Sequence, residues 1–359
     1  MKRSIRFRLT CAFVFWALTL AAFLAPAANA QVTYTATVGA ETKDQSVQAD
    51  AFFPNELWIL EGDSIKWNFV PKNEIHTVTL LKPGQARPPA PPPVGPPPPP
   101  LGPPFAFAAN CTAYVGSASY SGTTCVSSNP ASSAPTPTSF TVTFPVGSAG
   151  NYKFVCLVHT DMNGTVHVLV NNVVNAALLH SQRFYDDQAR DEASDILRDR
   201  DHEREEAHDG GRNAVTAGTG EIVATAGGTQ YRAVVRFQDG TIRIHKGESV
   251  EWTNLDPTEP HTVTFGTEPA NFVPTSQVDL GTPEADGTLS GTINSTSDFL
   301  NSGFIQAQAP DRTAPAPGSA QLPPGTTRIR ITFPNPGTYQ YHCALHDVDG
   351  MNGTVIVLP

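Results

Sequence analysis

An internal repeat constrains the fold of this 359-residue chain more than any other feature of its sequence. A pattern of two apolar strands around a glycine turn, typical of a hairpin, occurs at 57–67 and again at 241–252. From the turn glycine to a downstream histidine the count is 14 in both copies, from Gly62 to His76 and from Gly247 to His261. The copies are offset by 185 residues, so the chain contains two similar units.

Each unit closes with a short loop that offers a thiolate, an imidazole and a thioether. With the upstream histidine, each unit therefore has four potential ligands of a soft metal. Sulfur ligands favour Cu(I), whereas imidazole suits both oxidation states, so this combination is typical of a one-electron copper site. The candidate ligands are His76, Cys156, His159 and Met162 in the first unit and His261, Cys343, His346 and Met351 in the second.

The first 30 residues have the pattern of a secretory signal sequence. A basic start is followed by the apolar run from Cys11 to Leu24 and by small residues that end at Ala30. A membrane anchor is the alternative, but the apolar run is short for spanning a bilayer and is followed by Pro26. The sequence thus predicts a signal peptide at 1–30, a secreted or periplasmic protein, and no membrane span in the mature chain.

The net charge argues against nucleic acid as a partner. It is -10 for the whole chain and becomes -14 when the signal takes four basic residues with it. An acidic surface favours encounter with a basic partner and keeps the protein in solution.

The cysteines also fit an exported protein. Cys111 and Cys125 lie 14 residues apart in a loop rich in serine, threonine and glycine, where an oxidising compartment favours a disulfide. Cys156 and Cys343 remain unpaired, and metal ligation explains why they stay reduced.

The chain divides into two strand-rich domains, at 31–170 and 216–359, joined by a charged linker at 171–215. The first domain has an insertion at about 82–138 with thirteen prolines between Pro83 and Pro104. We interpret this polyproline run as a stiff segment on the surface. A recognition ligand for another protein is the alternative. The second domain has a Ser/Thr/Pro-rich insertion at about 266–325.

The spacing of apolar residues in the linker predicts an amphipathic helix, and the charged residues at 199–211 predict a solvated tail after it. Its apolar positions are Val174, Leu178, Tyr185, Ala189, Ala193 and Ile196. Helical periodicity is nearly absent elsewhere. The predicted fold is therefore all-β, with two β-sandwiches connected by a partly helical linker.

The chain resembles the cupredoxins, the plastocyanin/azurin family of blue copper proteins, and does so twice. The resemblance rests on the glycine-turn strands, on the His-Thr-Val-Thr runs at 76–79 and 261–264, and on the Gly-x-Tyr-x-x-x-Cys-x-x-His loops. The second loop has a ligand spacing similar to plastocyanin, and the shorter first loop is similar to amicyanin. The resemblance implies two Greek-key sandwiches, each with a type 1 copper, and a role in electron transfer.

The same resemblance implies a redox partner, such as a cytochrome or a copper enzyme. Electrons would pass through the outermost histidines, His159 and His346, inside small apolar docking patches. The patch residues would be Leu157, Val158, Ala344 and Leu345.

Other functions are open at this point. An envelope protein that binds or handles copper without a redox partner is the main alternative, and one unit could have kept the fold without the metal. Copper nitrite reductases place a catalytic copper on a histidine in the position of His342, but their companion histidine is replaced here by Gly266 and Leu81. No His-x-His pair occurs, so an enzyme is not predicted. The remaining histidines are expected to be solvated: His167, His180, His202, His208 and His245.

Overall fold

The computed structural model describes residues 30–87, 111–128, 138–198, 212–270, 272, 279–281, 284–305 and 327–359. The predicted signal sequence up to residue 29, most of the polyproline run and the tail at 199–211 lie outside these residues. The described chain is built mainly of β-strands, which confirms the all-β prediction. Among the described residues, no helix has the length and apolar character needed to cross a membrane.

The first unit is a sandwich of two sheets. Strands β2, β1, β4, β9 and β7 are neighbours in one sheet, and β3, β11, β10, β5, β8 and β6 form the other. The bounds are β1 Thr33–Glu41, β2 Val47–Phe53, β3 Glu56–Leu60, β4 Ser64–Phe69, β5 Thr79–Leu80, β6 Cys111–Tyr114, β7 Ser117–Ser119, β8 Cys125–Ser128, β9 Ser139–Thr143, β10 Gly150–Val155 and β11 Asn163–Leu169.

The second unit repeats this arrangement after two helices. Strands β17, β19, β15, β12 and β13 form one sheet and β14, β21, β20, β16 and β18 the other. The bounds are α1 Val173–Ala176, α2 Gln182–Arg198, β12 Ala214–Ala224, β13 Thr229–Gln238, β14 Thr241–His245, β15 Ser249–Leu255, β16 Thr264–Phe265, β17 Leu289–Thr292, β18 Leu300–Asn301, β19 Arg328–Thr332, β20 Gly337–His342 and β21 Asn352–Leu358.

Each unit encloses its own hydrophobic core between its two sheets. Alternating strand residues point inward and meet aromatic side chains from the facing sheet. Trp67 lies with its ring centroid 5.5 Å from that of Phe154, and Trp252 lies 5.2 Å from Tyr341. Because both tryptophans are fully buried, these aromatic pairs anchor the two cores.

The strands around Gly62 and Gly247 do not form the hairpins that the sequence predicts. β3 pairs with β11 in one sheet, whereas β4 pairs with β1 and β9 in the other. β14 and β15 are separated in the same way. The glycine turns have φ of 98° and 85°, and they carry the chain from one sheet to the other. When two consecutive apolar strands lie in opposite sheets, their side chains can pack against each other across the core. When they lie side by side in one sheet, they cannot.

Parts of both predicted insertions belong to the sandwiches. β8 pairs with β5, β7 pairs with β9, and Tyr120 and Val126 are buried in the first core. In the second unit, β17 pairs with β19 and β18 with β16. The predicted disulfide is confirmed: Cys111 and Cys125 are bonded, with Cα atoms 4.6 Å apart, and they join neighbouring strands β6 and β8.

The two units are joined edge to edge into one ten-stranded sheet by antiparallel pairing of β2 with β13. Gln48 pairs with Ala233, which is its equivalent at the offset of 185. Val47 pairs with Val234 and Ala49 with Arg232, so each pair maps onto the other under the same offset. The interface therefore has local pseudo-twofold symmetry.

Helix α2 packs on this shared sheet instead of spanning solvent. Its apolar face contacts Ala49, Ala51 and Phe53 through Ile196, and the Tyr185 hydroxyl donates to the Trp58 carbonyl at 3.1 Å. Tyr185 and Ile196 are buried, as the spacing predicts. Val174 and Leu178 lie outside α2 and are 72% and 69% exposed, so the helical pattern extends over less of the linker than expected.

Candidate metal centres

The ligand loop of the first unit lies between β10 and β11 at one end of the sandwich. Antiparallel pairing of these strands brings the two ends of the loop together. Cys156 N donates to the Met162 carbonyl at 2.9 Å, which closes the loop into a tight turn. His76 arrives at the same place just before β5, which pairs with β10. Strand pairing thus collects residues that are 80 positions apart in sequence.

In the first unit, three of the predicted ligands converge on one buried point. The Nδ1 atoms of His76 and His159 are 3.0 Å apart, and Cys156 Sγ is 3.6 Å from His159 Nδ1. Met162 lies in the same loop and is fully buried.

The second unit has the same arrangement. The Nδ1 atoms of His261 and His346 are 3.2 Å apart, and Cys343 Sγ lies 3.8 Å from the first and 3.4 Å from the second. Met351 is fully buried, and its carbonyl accepts from Cys343 N at 3.0 Å.

Both donor sets fit a single bound ion. Imidazole nitrogen and thiolate sulfur bind ions such as zinc at about 2.0 to 2.3 Å. Three donors at those distances around one ion are separated by roughly 3.5 Å, which compares with the observed separations of 3.0 to 3.8 Å. In each unit the two imidazoles and the thiolate all lie within 4.8 Å of one another. The donor chemistry suits copper.

The electrostatics of both sites favour the metal-binding form of cysteine. Burial by itself raises the pKa of Cys156, but the positive charge and hydrogen bond of His159 outweigh it and hold that pKa well below its ordinary value. His346 and His261 have the same effect on the pKa of Cys343. A thiolate is the species that binds a metal, so these cysteines are prepared as ligands.

Backbone amides also point at the sulfur atoms. Thr77 N and His159 N donate to Cys156 Sγ at 3.4 and 3.5 Å. Thr262 N donates to Cys343 Sγ at 3.4 Å. These bonds stabilise negative charge on a thiolate that is fully buried.

Two glycines that the sequence reasoning missed make room for the upstream histidines. Gly39 in β1 has φ of 71°, and a Cβ there would lie 2.7 Å from His76 Nε2. Gly218 in β12 has φ of 78°, and a Cβ there would also collide with the ring of His261. Both glycines lie at register shifts of their strands. A glycine inside a strand pattern is the signal that could have identified these bulges.

Two buried aspartates, also missed, face the outer nitrogens of the same histidines. Asp50 Oδ1 is 3.8 Å from His76 Nε2, and Asp256 Oδ2 is 3.8 Å from His261 Nε2. Asp50 lies within β2, whereas Asp256 directly follows β15, so the two are not related by the repeat. The repeat therefore could not have found them.

The two aspartates differ in their other contacts. Asp256 Oδ1 accepts from the Tyr231 hydroxyl and from the amides of Thr258 and Glu259, at 3.0 and 2.8 Å for the amides. Within the described part of the chain, neither oxygen of Asp50 has a hydrogen-bond partner. Burial raises the pKa of Asp50 to about 6, although the charges of His159 and His76 oppose this rise.

The predicted docking patches around His159 and His346 are less exposed than expected. Each histidine is only 4% exposed and Leu157 is buried, whereas Val158, Ala344 and Leu345 are half-buried. The cause is the pairing of β2 with β13, because it turns the ligand end of each unit toward the other unit.

Two glutamates occupy the space in front of His159. Glu74 Oε1 is 3.0 Å from His159 Nε2, and Glu259 Oε1, from the other unit, is 3.7 Å from the same atom. Burial raises the pKa of Glu74, but the hydrogen bond to His159 outweighs it and lowers that pKa to about 2. Burial raises the pKa of Glu259 to about 8, against the opposing charge of His159.

The remaining histidines lie outside both donor sets. His342 Nε2 is 3.0 Å from Glu268 Oε1, and no other histidine joins it in a candidate metal group of the described residues. His167 stacks on Trp58 at 3.9 Å and His180 on Phe184 at 3.8 Å, so aromatic contacts accompany their partial exposure. The chain at His202 and His208 lies outside the described residues.

Residues 224–358 match the family model for copper binding proteins of the plastocyanin/azurin family. No curated protein matches the chain. Among solved structures, a mutant plastocyanin of a fern is 18% identical, over 40% of this chain and 99% of that chain, with a TM-score of 0.21. A purple cupredoxin from Nitrosopumilus maritimus is 16% identical, over 40% of this chain and 98% of that chain, with a TM-score of 0.21.

A mutant amicyanin in its Cu(I) form is 18% identical, over 43% of this chain and 89% of that chain, with a TM-score of 0.22. The family match covers His261, Cys343, His346 and Met351. It supports a cupredoxin domain of the copper-binding plastocyanin/azurin type in the second unit of the chain.

Proposed function

We propose that the chain is an exported protein with two type 1 copper sites and that it carries or relays single electrons. The observation that carries this proposal is the presence, in each unit, of a cysteine sulfur and two histidine nitrogens gathered around one buried point. Their separations are 3.0 to 3.8 Å. The family match of the second unit supports the metal, and the repeat extends it to the first unit.

His76, Cys156, His159 and Met162 would hold one copper, and His261, Cys343, His346 and Met351 the other. When bound, copper supplies a one-electron couple. The protein contributes a preformed thiolate, two imidazoles whose Nδ1 atoms face the site, and a buried environment. The short loop bonds Cys156 N to Met162 O and Cys343 N to Met351 O restrain the donors, and small rearrangement between oxidation states favours fast exchange.

The partner would be another redox protein, such as a cytochrome or a copper enzyme, in the periplasm or outside the cell. The basic, apolar start of the chain supports export, and the acidic balance supports a partner with a basic surface.

A copper-handling protein without a redox partner is the second candidate. The observation that favours it is the burial of His159 and His346, because neither site presents a ligand edge to an external protein. A nitrite reductase-like enzyme has less support, since His342 faces Glu268 rather than a second histidine.

Elemental analysis, a visible spectrum and voltammetry of the purified, copper-loaded protein test these proposals together. We expect two coppers per chain, a strong thiolate charge-transfer band, reversible reduction and rapid electron exchange with a cytochrome. Slow exchange with ready release of copper to a chelator would favour copper handling instead. Turnover of nitrite would support the nitrite reductase-like enzyme.

A further inference from the structure

The two candidate centres meet at a buried junction between the units. His159 and His346 are each only 4% exposed, although each is in a loop at the end of its own sandwich. Each ligand loop contacts a segment of the other unit that precedes its upstream histidine.

Among the described residues, Glu259 and Asn73 make contacts across this junction, and each joins residues that are close in sequence to candidate ligands. Glu259 precedes His261 by two residues, and its Oε1 is 3.7 Å from Nε2 of His159 in the other unit. Asn73 precedes His76 by three residues, and its Nδ2 donates to Oδ1 of Asp349 at 2.8 Å. Asp349 itself precedes Met351 by two residues. Each route from one donor set to the other thus crosses a single non-covalent contact.

The junction is held in place on both sides. The Glu259 carbonyl accepts from Asn254 Nδ2 at 2.9 Å, and its amide donates to Asp256 Oδ1 at 2.8 Å. Further contacts between the units are made by Asn55, which donates to Thr225 Oγ1 at 2.6 Å, and by Thr165, which donates to the Gly227 carbonyl at 2.8 Å. Together with the β2–β13 ladder, these bonds fix the distance between the two centres.

We propose that the two centres exchange an electron directly within the chain, across the contact between His159 and Glu259. This inference rests on the proposed function. With both donor sets loaded, the residues of one unit would hold a Cu(I) that is oxidised to Cu(II), and those of the other a Cu(II) that is reduced to Cu(I). One electron moves, no bond forms or breaks, and no further reactant is required. His159 is the metal ligand at the junction, and Glu259 and Glu74 are positioning residues that hold its ring.

The arrangement has a consequence for external partners. Because both histidines are buried at the junction, a partner must reach the chain elsewhere on its surface. Once one centre is reduced, the junction lets the electron distribute between both centres without a collision between two protein molecules.

The test is a flash-reduction experiment on the full, fully oxidised two-copper protein, with less than one electron delivered per chain. We expect a second-order phase of reduction followed by redistribution between the centres. Variants with a single working site show which absorbance belongs to each centre. The redistribution rate should be independent of protein concentration. A redistribution rate that rises with protein concentration, or no redistribution between centres of different potential, would overturn the inference.

Glu259→Ala and Glu259→Gln test the route. We expect Glu259→Ala to slow redistribution severalfold while both centres keep their colour. Glu259→Gln should slow it less, because a glutamine side chain is as long as a glutamate side chain. Glu284→Gln is the control, since Glu284 is an exposed acid of the same unit that pairs with Arg330. The potentials of all variants are measured, so that a change in driving force is separated from a change in contact. An unchanged rate in Glu259→Ala would exclude this route.

A readout without copper checks the junction itself. In the metal-free protein, His159 and His346 should react slowly with a histidine-modifying reagent, whereas His245, whose side chain is 63% exposed, should react quickly. Rapid modification of both junction histidines would contradict the closed interface. Absence of blue copper would instead contradict the proposed function, and so the two failures are distinguishable.

Discussion

The two metal centres have the same predicted donors but different surroundings. The first loop has two residues between histidine and methionine and the second has four. Two amides donate to the Cys156 sulfur, whereas Thr262 supplies the one amide bond described for Cys343. The comparison shows that duplicated ligands do not imply duplicated sites, because hydrogen bonds to sulfur and nearby charge tune a copper centre as much as its donors do.

Charge near the two loops differs as well. In the first unit, Arg87 donates from Nη2 to the carbonyls of Cys156 and Leu157 at 3.0 and 2.9 Å. Both upstream histidines have a buried aspartate at 3.8 Å, but only Asp256 in the second unit is held by other groups among the described residues, namely Tyr231 and two amides. The first centre therefore has a cation at the backbone of its cysteine, and the second has the more firmly held aspartate beside its upstream histidine.

The largest expected effect comes from removing one thiolate at a time. Cys156→Ser should abolish copper binding and colour in the first unit and leave the second blue, and Cys343→Ser should do the converse. Each donor set lies within one unit, so neither change removes a ligand of the other site. Copper analysis and visible spectra of the two variants measure this. Loss of all copper from either variant would show that the sites are interdependent.

The next effect concerns stability, and only the first unit should show it. Replacing Cys111 and Cys125 by serine removes a bond that closes a loop of 14 residues. We expect the free energy of unfolding to fall by about 3 kcal/mol, chiefly because the unfolded chain gains freedom. Denaturant unfolding of the double variant measures the loss. The absorbance of the second centre should persist to the same denaturant concentration as in the unaltered protein, and an equal shift of both units would contradict the separation of the two cores.

Alanine at Gly39 or Gly218 should damage the adjacent centre only. The left-handed backbone conformation costs an alanine about 1–2 kcal/mol, and the new Cβ also collides with His76 or His261. The expected result is weaker copper binding in the affected unit. Gly247→Ala is the matched control, because it has φ of 85° with nothing within 4 Å of the added Cβ. If Gly247→Ala weakened copper binding as much as Gly218→Ala, backbone strain rather than contact would be the cause.

The smallest expected effect is a difference in reduction potential. Two amides on the Cys156 sulfur and the nearby Arg87 stabilise the extra electron, so the first centre should have the higher potential. Arg87→Gln should lower the first potential by tens of millivolts, since about 1.4 kcal/mol corresponds to about 59 mV for one electron. Voltammetry of variants with single working sites measures both values. A second centre with the higher potential would contradict this ordering.

The spacing of a few residues was enough to predict which histidines and cysteines come together in each unit. Cys156, His159 and Met162 lie in one loop, so their proximity follows from local sequence, and the recurrence of the pattern identified His76 and His261 despite their distance. The disulfide was predictable for the same local reason. The glycine bulges and the buried aspartates were not. Gly39, Gly218 and Asp50 reach the histidines from other strands, and Asp50 and Asp256 lie at positions that the repeat does not relate.

Apolar alternation shows which residues are buried but not which strands are neighbours. The strands on either side of Gly62 therefore suggested a hairpin, although they lie in opposite sheets. Strands β6 to β8 and β17 to β18 were assigned to insertions for a similar reason, because short strands between turn-rich segments leave a weak pattern. Pairing depends on contacts between distant segments, and a single sequence does not show them directly.

The sequence by itself determined that a strand and histidine pattern is repeated, that each copy has His, Cys, His and Met as candidate ligands, and that two cysteines are available for a disulfide. Only the tertiary structure decided whether the two ligand sets lie toward solvent or toward the other unit. That direction depends on which strand edges pair, and pairing of β2 with β13 placed His159 against Glu259 rather than against solvent. Burial is a property of the assembled surfaces, so no local pattern of residues could have indicated it.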